Sequence, residues 1–125
     1  MHIAFRILSI LVALFFSFTA FSWLFDPESA AQSLGMELLR GSAASTQIGD
    51  IGALFLSGAV FVWWGQLPGK SQWLYAAALL LGFAAFMRTT AWALGNADFM
   101  VAPVIGEVIF VVILVVAARL RTEEI

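Results

Sequence analysis

Cysteine is absent from this chain of 125 residues, and histidine occurs once, at His2. Without cysteine the chain can form no disulfide, no thiolate metal site and no thiol nucleophile. A lone histidine beside the N-terminus is a poor metal ligand, because metal sites need several ligands that converge. We therefore predict no metal site and no cofactor.

Charged residues are scarce as well. They make up 11% of the chain, whereas soluble domains contain about 25%. Hydrophobic residues reach 62% and the mean hydropathy is +0.99, so the composition excludes a soluble domain and predicts an integral membrane protein. The net charge is −2 and the six basic residues are scattered, so we expect neither a nucleic-acid partner nor a polybasic lipid-binding patch.

The apolar residues form four runs, each close to the roughly 20 residues that a helix needs to cross a bilayer. The predicted spans cover residues 3–25, 46–66, 71–95 and 99–118. The predicted fold class is all-α. We expect an integral membrane four-helix bundle, built as one transmembrane domain over residues 1–125 and surrounded by the lipid bilayer, with a short interfacial helix in its first loop.

The first run has a second interpretation, as a secretory signal peptide. Arg6 precedes an apolar segment, and Ala20-Phe21-Ser22 loosely resembles a signal peptidase site. The run is longer than the roughly 7–15 apolar residues usual in a signal peptide. Its length favours a membrane span.

The segment after the first span begins with a helix signal. Asp26 can cap a helix with its side chain, Pro27 suits the first helical position, and Gly35 can end a helix in the left-handed conformation. We therefore predict a short helix over residues 27–34. Apolar residues follow, so the segment should lie along the membrane surface or fold over the bundle mouth, as a simple connector or as a lid: Leu34, Met36, Leu38 and Leu39.

A stripe of small residues marks the second span. Gly49, Ala53 and Ser57 recur at every fourth position, which is typical of a helix face that a neighbouring helix approaches closely. Asp50 lies at the edge of this stripe. We expect its carboxylate to face protein, because a charge facing lipid is costly.

The basic residues predict the orientation in the membrane. Arg6, Lys70, Arg119 and Arg121 fall on one side of a four-span topology and Arg40 falls on the other. Cytoplasmic loops are enriched in basic residues, so both termini should be cytoplasmic. The acidic tail, residues 122–125, is expected to be disordered.

Three charged residues interrupt the apolar runs, namely Asp50, Arg88 and Glu107. A charge deep in hydrocarbon costs about 3 kcal/mol on insertion scales, so each should have a partner or a purpose. Arg88 lies seven residues before Gly95 and Glu107 seven residues after Met100. Both should therefore lie about 10 Å below the same end of the bundle, where antiparallel neighbouring helices allow an ion pair.

If all three groups ionise, their charges sum to −1, so one carboxyl must hold a proton or a cation must bind. Both conditions are typical of a binding site. Asp50 and Glu107 are candidate catalytic groups, because a carboxyl near its titration point can act as a general acid or base. The predicted ligand-binding residues are these two carboxylates, Arg88 and three polar residues at similar depth: Thr89, Gln47 and Asn96.

The leading functional hypothesis is binding of a small or lipid-like molecule with a polar head, in which a carboxyl handles a proton. An intramembrane isomerase or hydrolase is one form of this hypothesis. The alternative is an accessory or assembly subunit of a membrane complex, in which the charges pair internally and small-residue stripes dock a protein partner or a second copy. A proton or ion path is a third use of such charges.

Four short motifs resemble those of a known group of proteins. They are Asp26-Pro27, Gly49-Asp50-Ile51-Gly52-Ala53, Met87-Arg88-Thr89 and Gly106-Glu107. In this order they resemble small bacterial four-helix membrane proteins of unknown function, near the DoxX-like group. The resemblance implies a compact, multi-pass bundle in the bacterial inner membrane. It implies no reaction.

Overall fold

The computed structural model describes residues 1–123, which form five α-helices and no strand. The helices are α1 His2–Phe25, α2 Pro27–Ser33, α3 Gly41–Gly65, α4 Gln72–Ala93 and α5 Val101–Glu123. This confirms the predicted all-α class. Four of the helices, α1, α3, α4 and α5, are long and apolar enough to cross a membrane, as expected of a multi-pass membrane protein.

The predicted span limits are close for α1 and α4 but too short for α3 and α5. Helix α3 begins at Gly41, five residues before the predicted span, and α5 continues to Glu123. An apolar run marks the part of a helix that lies in lipid, whereas the helix itself continues into polar sequence. The predicted disorder is therefore wrong for Thr122, whose hydroxyl donates to the carbonyl of Ala118 at 2.9 Å, and for Glu123; residues 124–125 lie outside the described residues.

The four long helices form a closed ring. Helix α1 packs on α3, α3 on α4, α4 on α5, and α5 on α1. Successive long helices are antiparallel, so the start of α1, the end of α5 and residues 66–71 lie at one end of the bundle, which we call the terminal end. Residues 26–40 and 94–100 lie at the other end, which we call the loop end.

The half of the bundle nearest the terminal end is tightly packed. The side-chain amide of Gln66 donates to the hydroxyl of Ser9 at 3.0 Å, and the guanidinium of Arg121 donates to the backbone carbonyl of Gln66. All four long helices contribute to one buried apolar cluster. Its members in this half are Val12, Ala13, Ala59, Val62, Leu74, Ala77, Ala78, Leu114, Ala117 and Ala118.

Glycine is required where α3 meets α1. A Cβ atom added at Gly58 would lie 2.9 Å from Cδ2 of the buried Phe16 ring, closer than real Cβ contacts allow. The absence of a side chain therefore lets the two helices approach each other.

We expect Gly58→Ala to lower the free energy of unfolding by about 1–3 kcal/mol, because the added methyl would lie 2.9 Å from Cδ2 of Phe16 and force that ring or the helix to shift. Gly49→Ala is the matched control on the same helix, since a Cβ there meets nothing within 4 Å. Alanine should be neutral or slightly stabilising at that position. Thermal unfolding in detergent measures both, and equal stability of the two variants would contradict this packing.

The predicted short helix in the first loop is confirmed as α2, Pro27–Ser33. Gly35 adopts φ 73° just after it, which is the left-handed conformation expected at a helix end. The predicted side-chain cap is wrong: Asp26 makes no side-chain capping bond, and its backbone carbonyl instead accepts from Ala30 N–H at 3.2 Å. Helix α2 is held by apolar contact, because Ala30 and Ala31 pack with the fully buried Trp23.

Within residues 1–123, the small-residue stripe does not pack closely against another helix of this chain, so its predicted approach by a neighbouring helix stays a prediction. Gly49 and Ala53 are exposed and Ser57 is only partly buried. Helix α3 turns a different face inward, on which the bulkier Ile51 and Phe55 pack against the Trp23 cluster. Both faces of α3 are apolar enough to be buried. The face with the larger side chains is the one that is buried, because larger side chains bury more apolar surface.

Candidate functional site

Arg88 on α4 and Glu107 on α5 form an ion pair, as the sequence predicts. The guanidinium Nε lies 3.1 Å from Oε1 of the carboxylate and 3.4 Å from Oε2, to which it donates a hydrogen bond. The Arg88 side chain is 34% exposed and that of Glu107 is 14% exposed. The two helices are joined by a short loop, so matching distances from that loop bring the two charges to the same level.

The ion pair lies at the edge of a partly open cavity of about 570 Å³ between the helices. This volume is in the range of small-molecule binding sites, which span about 300–1,000 Å³. In this half of the bundle, α4 from Gly82 onward and α5 before Leu114 contain no fully buried side chain. All four long helices contribute to its walls.

The deep wall of the cavity is apolar. Its side chains lie toward the middle of the bundle, about 10 Å from Arg88 along α4, given the helical rise of 1.5 Å per residue. Aromatic rings and leucines dominate this wall: Phe15, Phe16, Leu54, Phe55, Leu80, Leu81 and Phe110. The cavity therefore has a charged pair near the loop end and a hydrocarbon-like interior.

The segment after α2 covers part of the cavity at the loop end. Residues 33–36 line it, together with Met100 from the other loop. A Cβ atom added at Gly35 would lie 3.2 Å from Cε of Met100, so the two loops touch across the mouth. Met100 also approaches the ion pair, with Sδ 4.0 Å from Nη1 of Arg88. Of the two predicted placements of the first loop, the structure has the one that folds over the bundle mouth.

Gln47 holds the segment between α2 and α3 in place. We call this segment, residues 34–40, the covering segment. Its side-chain Oε1 accepts from Leu39 N–H at 2.8 Å, and its Nε2 donates to the carbonyl of Glu37 at 3.1 Å. The side chain is buried, with 6% of the residue exposed. The structure thus places Gln47 outside the cavity lining, with both ends of its amide bound to the backbone of the covering segment.

Replacing Gln47 by leucine should loosen the covering segment, because two part-buried hydrogen bonds to its backbone are lost, each worth about 0.5–1.5 kcal/mol. We expect the amide of Leu39 to exchange its hydrogen at least about tenfold faster, since 1.4 kcal/mol corresponds to a factor of ten. Hydrogen exchange followed by mass spectrometry measures this effect. Ser45→Ala, an exposed change on the same helix, is the control, and unchanged exchange in Gln47→Leu would contradict the assigned role.

The other three predicted ligand-binding residues are not brought to the cavity. Asp50 is exposed on α3, on the side of the small-residue stripe. Thr89 is exposed on α4 beside Arg88, and Asn96 is exposed in the loop between α4 and α5. Among residues 1–123, the ionisable side chains that line the cavity are therefore Arg88 and Glu107.

The apolar lining and Met100 are what sequence reasoning missed. In a membrane helix a pocket-lining leucine has the same signature as a lipid-facing one, so the pattern of polarity does not reveal the cavity. One residue of the cavity wall, Gly106, does stand out in the sequence, because it forms a short motif with Glu107. Gly106 lies beside Glu107 and lines the cavity, and a Cβ there would meet nothing within 4 Å.

Comparisons with protein-family models, curated proteins and solved structures found no match to this chain.

Proposed function

We propose that this protein binds a lipid-like molecule inside the loop half of its helix bundle. The polar head of the ligand lies against Arg88 and Glu107, and its apolar part lies against the aromatic rings and leucines of the deep wall. The observation that carries this proposal is the cavity itself, which combines one ion pair with an otherwise largely apolar lining. Apolar pockets with a few convergent polar groups are the usual form of small-molecule sites.

The arrangement also suits the direction in which a lipid lies in a membrane. The ion pair is near the end of the helices, where head groups reside, and the apolar wall is nearer their middle, where acyl chains reside. A ligand could thus enter from the bilayer without reversing its orientation. Arg88 offers N–H donors to an oxygen of the head, and Glu107 is the carboxyl that could exchange a proton with it.

Native mass spectrometry of the gently solubilised protein tests this proposal. We expect the wild type to carry a discrete small molecule that is absent from Arg88→Gln, because the variant lacks the guanidinium that holds the head. Asp50→Asn is the matched control, since it removes a charge outside the cavity and should retain the molecule. Bare wild-type protein, or equal loading of wild type and Arg88→Gln, would contradict the proposal.

We further propose that the loop end faces the outside of a bacterial inner membrane, with both termini in the cytoplasm. The support is the excess of basic residues at the terminal end and the resemblance described above. Because the chain lacks cysteine, single-cysteine variants report orientation without background labelling. In intact cells an impermeant maleimide should label Asp98→Cys and leave Lys70→Cys unlabelled, and the opposite result would reverse the topology.

A second function is favoured by one specific observation, the exposed stripe of Gly49, Ala53 and Ser57. Such a stripe lets another transmembrane helix approach closely, which suits an accessory subunit or a homo-oligomer. Under this alternative, native mass spectra would show an assembly that Gly49→Leu disrupts. A bare wild-type cavity in the same spectra would then favour this function over ligand binding.

A further inference from the structure

The polar end of the cavity carries no net charge. Arg88 and Glu107 lie 3.1 Å apart, and they are the ionisable side chains that line the cavity within residues 1–123. Asp50, which would have made the sum −1, is exposed on α3 and does not contribute. The ion pair therefore offers no net charge to balance a charged head, and a partly desolvated head group that keeps its charge without a partner is unfavourable.

Arg88 has hydrogen-bond donors to spare. A guanidinium has five N–H groups, of which the Nε–H of Arg88 donates to Glu107. Its Nη1 faces the thioether sulfur of Met100 at 4.0 Å, and a thioether is only a weak acceptor. No oxygen of residues 1–123 accepts a hydrogen bond from the terminal Nη1 or Nη2. A ligand that lies here should therefore present an acceptor oxygen.

We propose that the ligand is a long-chain amphiphile whose head is uncharged and presents a carbonyl oxygen to the terminal nitrogens of Arg88. This inference rests on the proposed function and specifies its ligand class. A carbonyl oxygen accepts hydrogen bonds in its own plane, which suits the planar guanidinium, and it leaves the charge of the ion pair balanced. Amides, esters and ketones of long-chain lipids belong to this class, whereas phosphate- and sulfonate-headed lipids do not.

The test compares two probes with the same chain and different heads, hexadecanamide and hexadecanesulfonate. Each is titrated in detergent micelles into the purified full-length protein, and occupancy is read by native mass spectrometry. We expect the wild type to bind the amide at least about tenfold more tightly than the permanently charged sulfonate. Equal or tighter binding of the sulfonate overturns the inference and leaves the proposed function in place, whereas no binding of either probe overturns both.

Glu107→Gln makes a second, independent arm of the test. The variant leaves the charge of Arg88 uncompensated, so the preference should reverse and the sulfonate should bind more tightly than the amide. A purely structural ion pair would weaken both probes equally and would not change their order, and that outcome overturns the inference. Asp50→Asn removes one carboxylate outside the cavity and should keep the wild-type preference, which separates the local effect from the change in overall charge.

Discussion

Arg88→Met should destabilise the protein by about 2–3 kcal/mol, while the double variant Arg88→Met with Glu107→Gln should remain within about 1 kcal/mol of the wild type. Removal of one member of a buried ion pair costs about 3–5 kcal/mol, because the other charge is left without its partner. We expect a smaller loss here, since the Arg88 side chain is 34% exposed. Neutralising both members removes the unpaired charge, and such pairs are often replaced without loss.

Thermal and denaturant unfolding in detergent measure whether the double variant regains the stability that Arg88→Met loses. Ligand binding by the same variants shows whether the ion pair serves binding or only stability. If the ion pair serves binding, the double variant folds as well as the wild type but binds hexadecanamide at least about tenfold more weakly, the factor that corresponds to 1.4 kcal/mol. A double variant as unstable as Arg88→Met would show that the pair is needed to fix helix register. Full stability combined with wild-type binding would contradict any role of Arg88 in recognition.

Ala84→Phe should abolish ligand binding without destabilising the protein. Ala84 lies on the cavity wall, one turn of α4 before Arg88, and its replacement by phenylalanine puts an aromatic ring into the space that the ligand needs. We expect the affinity for hexadecanamide to fall at least about a hundredfold, which corresponds to about 2.7 kcal/mol. The unfolding temperature should stay the same or rise, because the ring fills apolar space that is otherwise unpacked.

Ala53→Phe is the matched control for this prediction. It makes the same substitution on α3, at an exposed position outside the cavity, and should leave binding unchanged. Equal binding by wild type and Ala84→Phe would contradict the assignment of the ligand to this cavity. A large loss of stability in Ala84→Phe would instead show that the wall is too rigid to accept the ring.

The sequence predicts much of the fold for simple physical reasons. A bilayer sets the length of an apolar helix, so four apolar runs predict four spans. A short loop makes consecutive helices antiparallel, so Arg88 and Glu107 could be matched in depth and paired. Turn chemistry located the short helix, since Gly35 has the positive φ expected of a helix end.

The site was predicted only in part, because the face of a membrane helix that is buried depends on packing. Asp50 lies beside a small-residue stripe that suggested a protein neighbour, yet α3 buries the face of Ile51 and Phe55 instead. Gln47 was predicted to bind ligand because it is polar and lies at a depth similar to that of the ion pair. Its amide instead binds backbone groups of a loop whose path the sequence does not specify. The cavity lies where α4 and α5 bury no side chain completely, and that is a property of helix packing which the sequence does not specify.

Photo-crosslinking with hexadecanamide that carries a diazirine near the end of its chain tests the central claim most directly. After irradiation in membranes and digestion, we expect the label on the deep wall, at Leu54, Phe55, Leu81 and Phe110, and its loss in Ala84→Phe. A second, shallower groove lies on the outside of the bundle between α4 and α5, and Leu79, Phe83 and Phe86 line it. Labelling confined to that groove would show that the probe contacts the protein only as surrounding lipid. That result would contradict a ligand site inside the bundle.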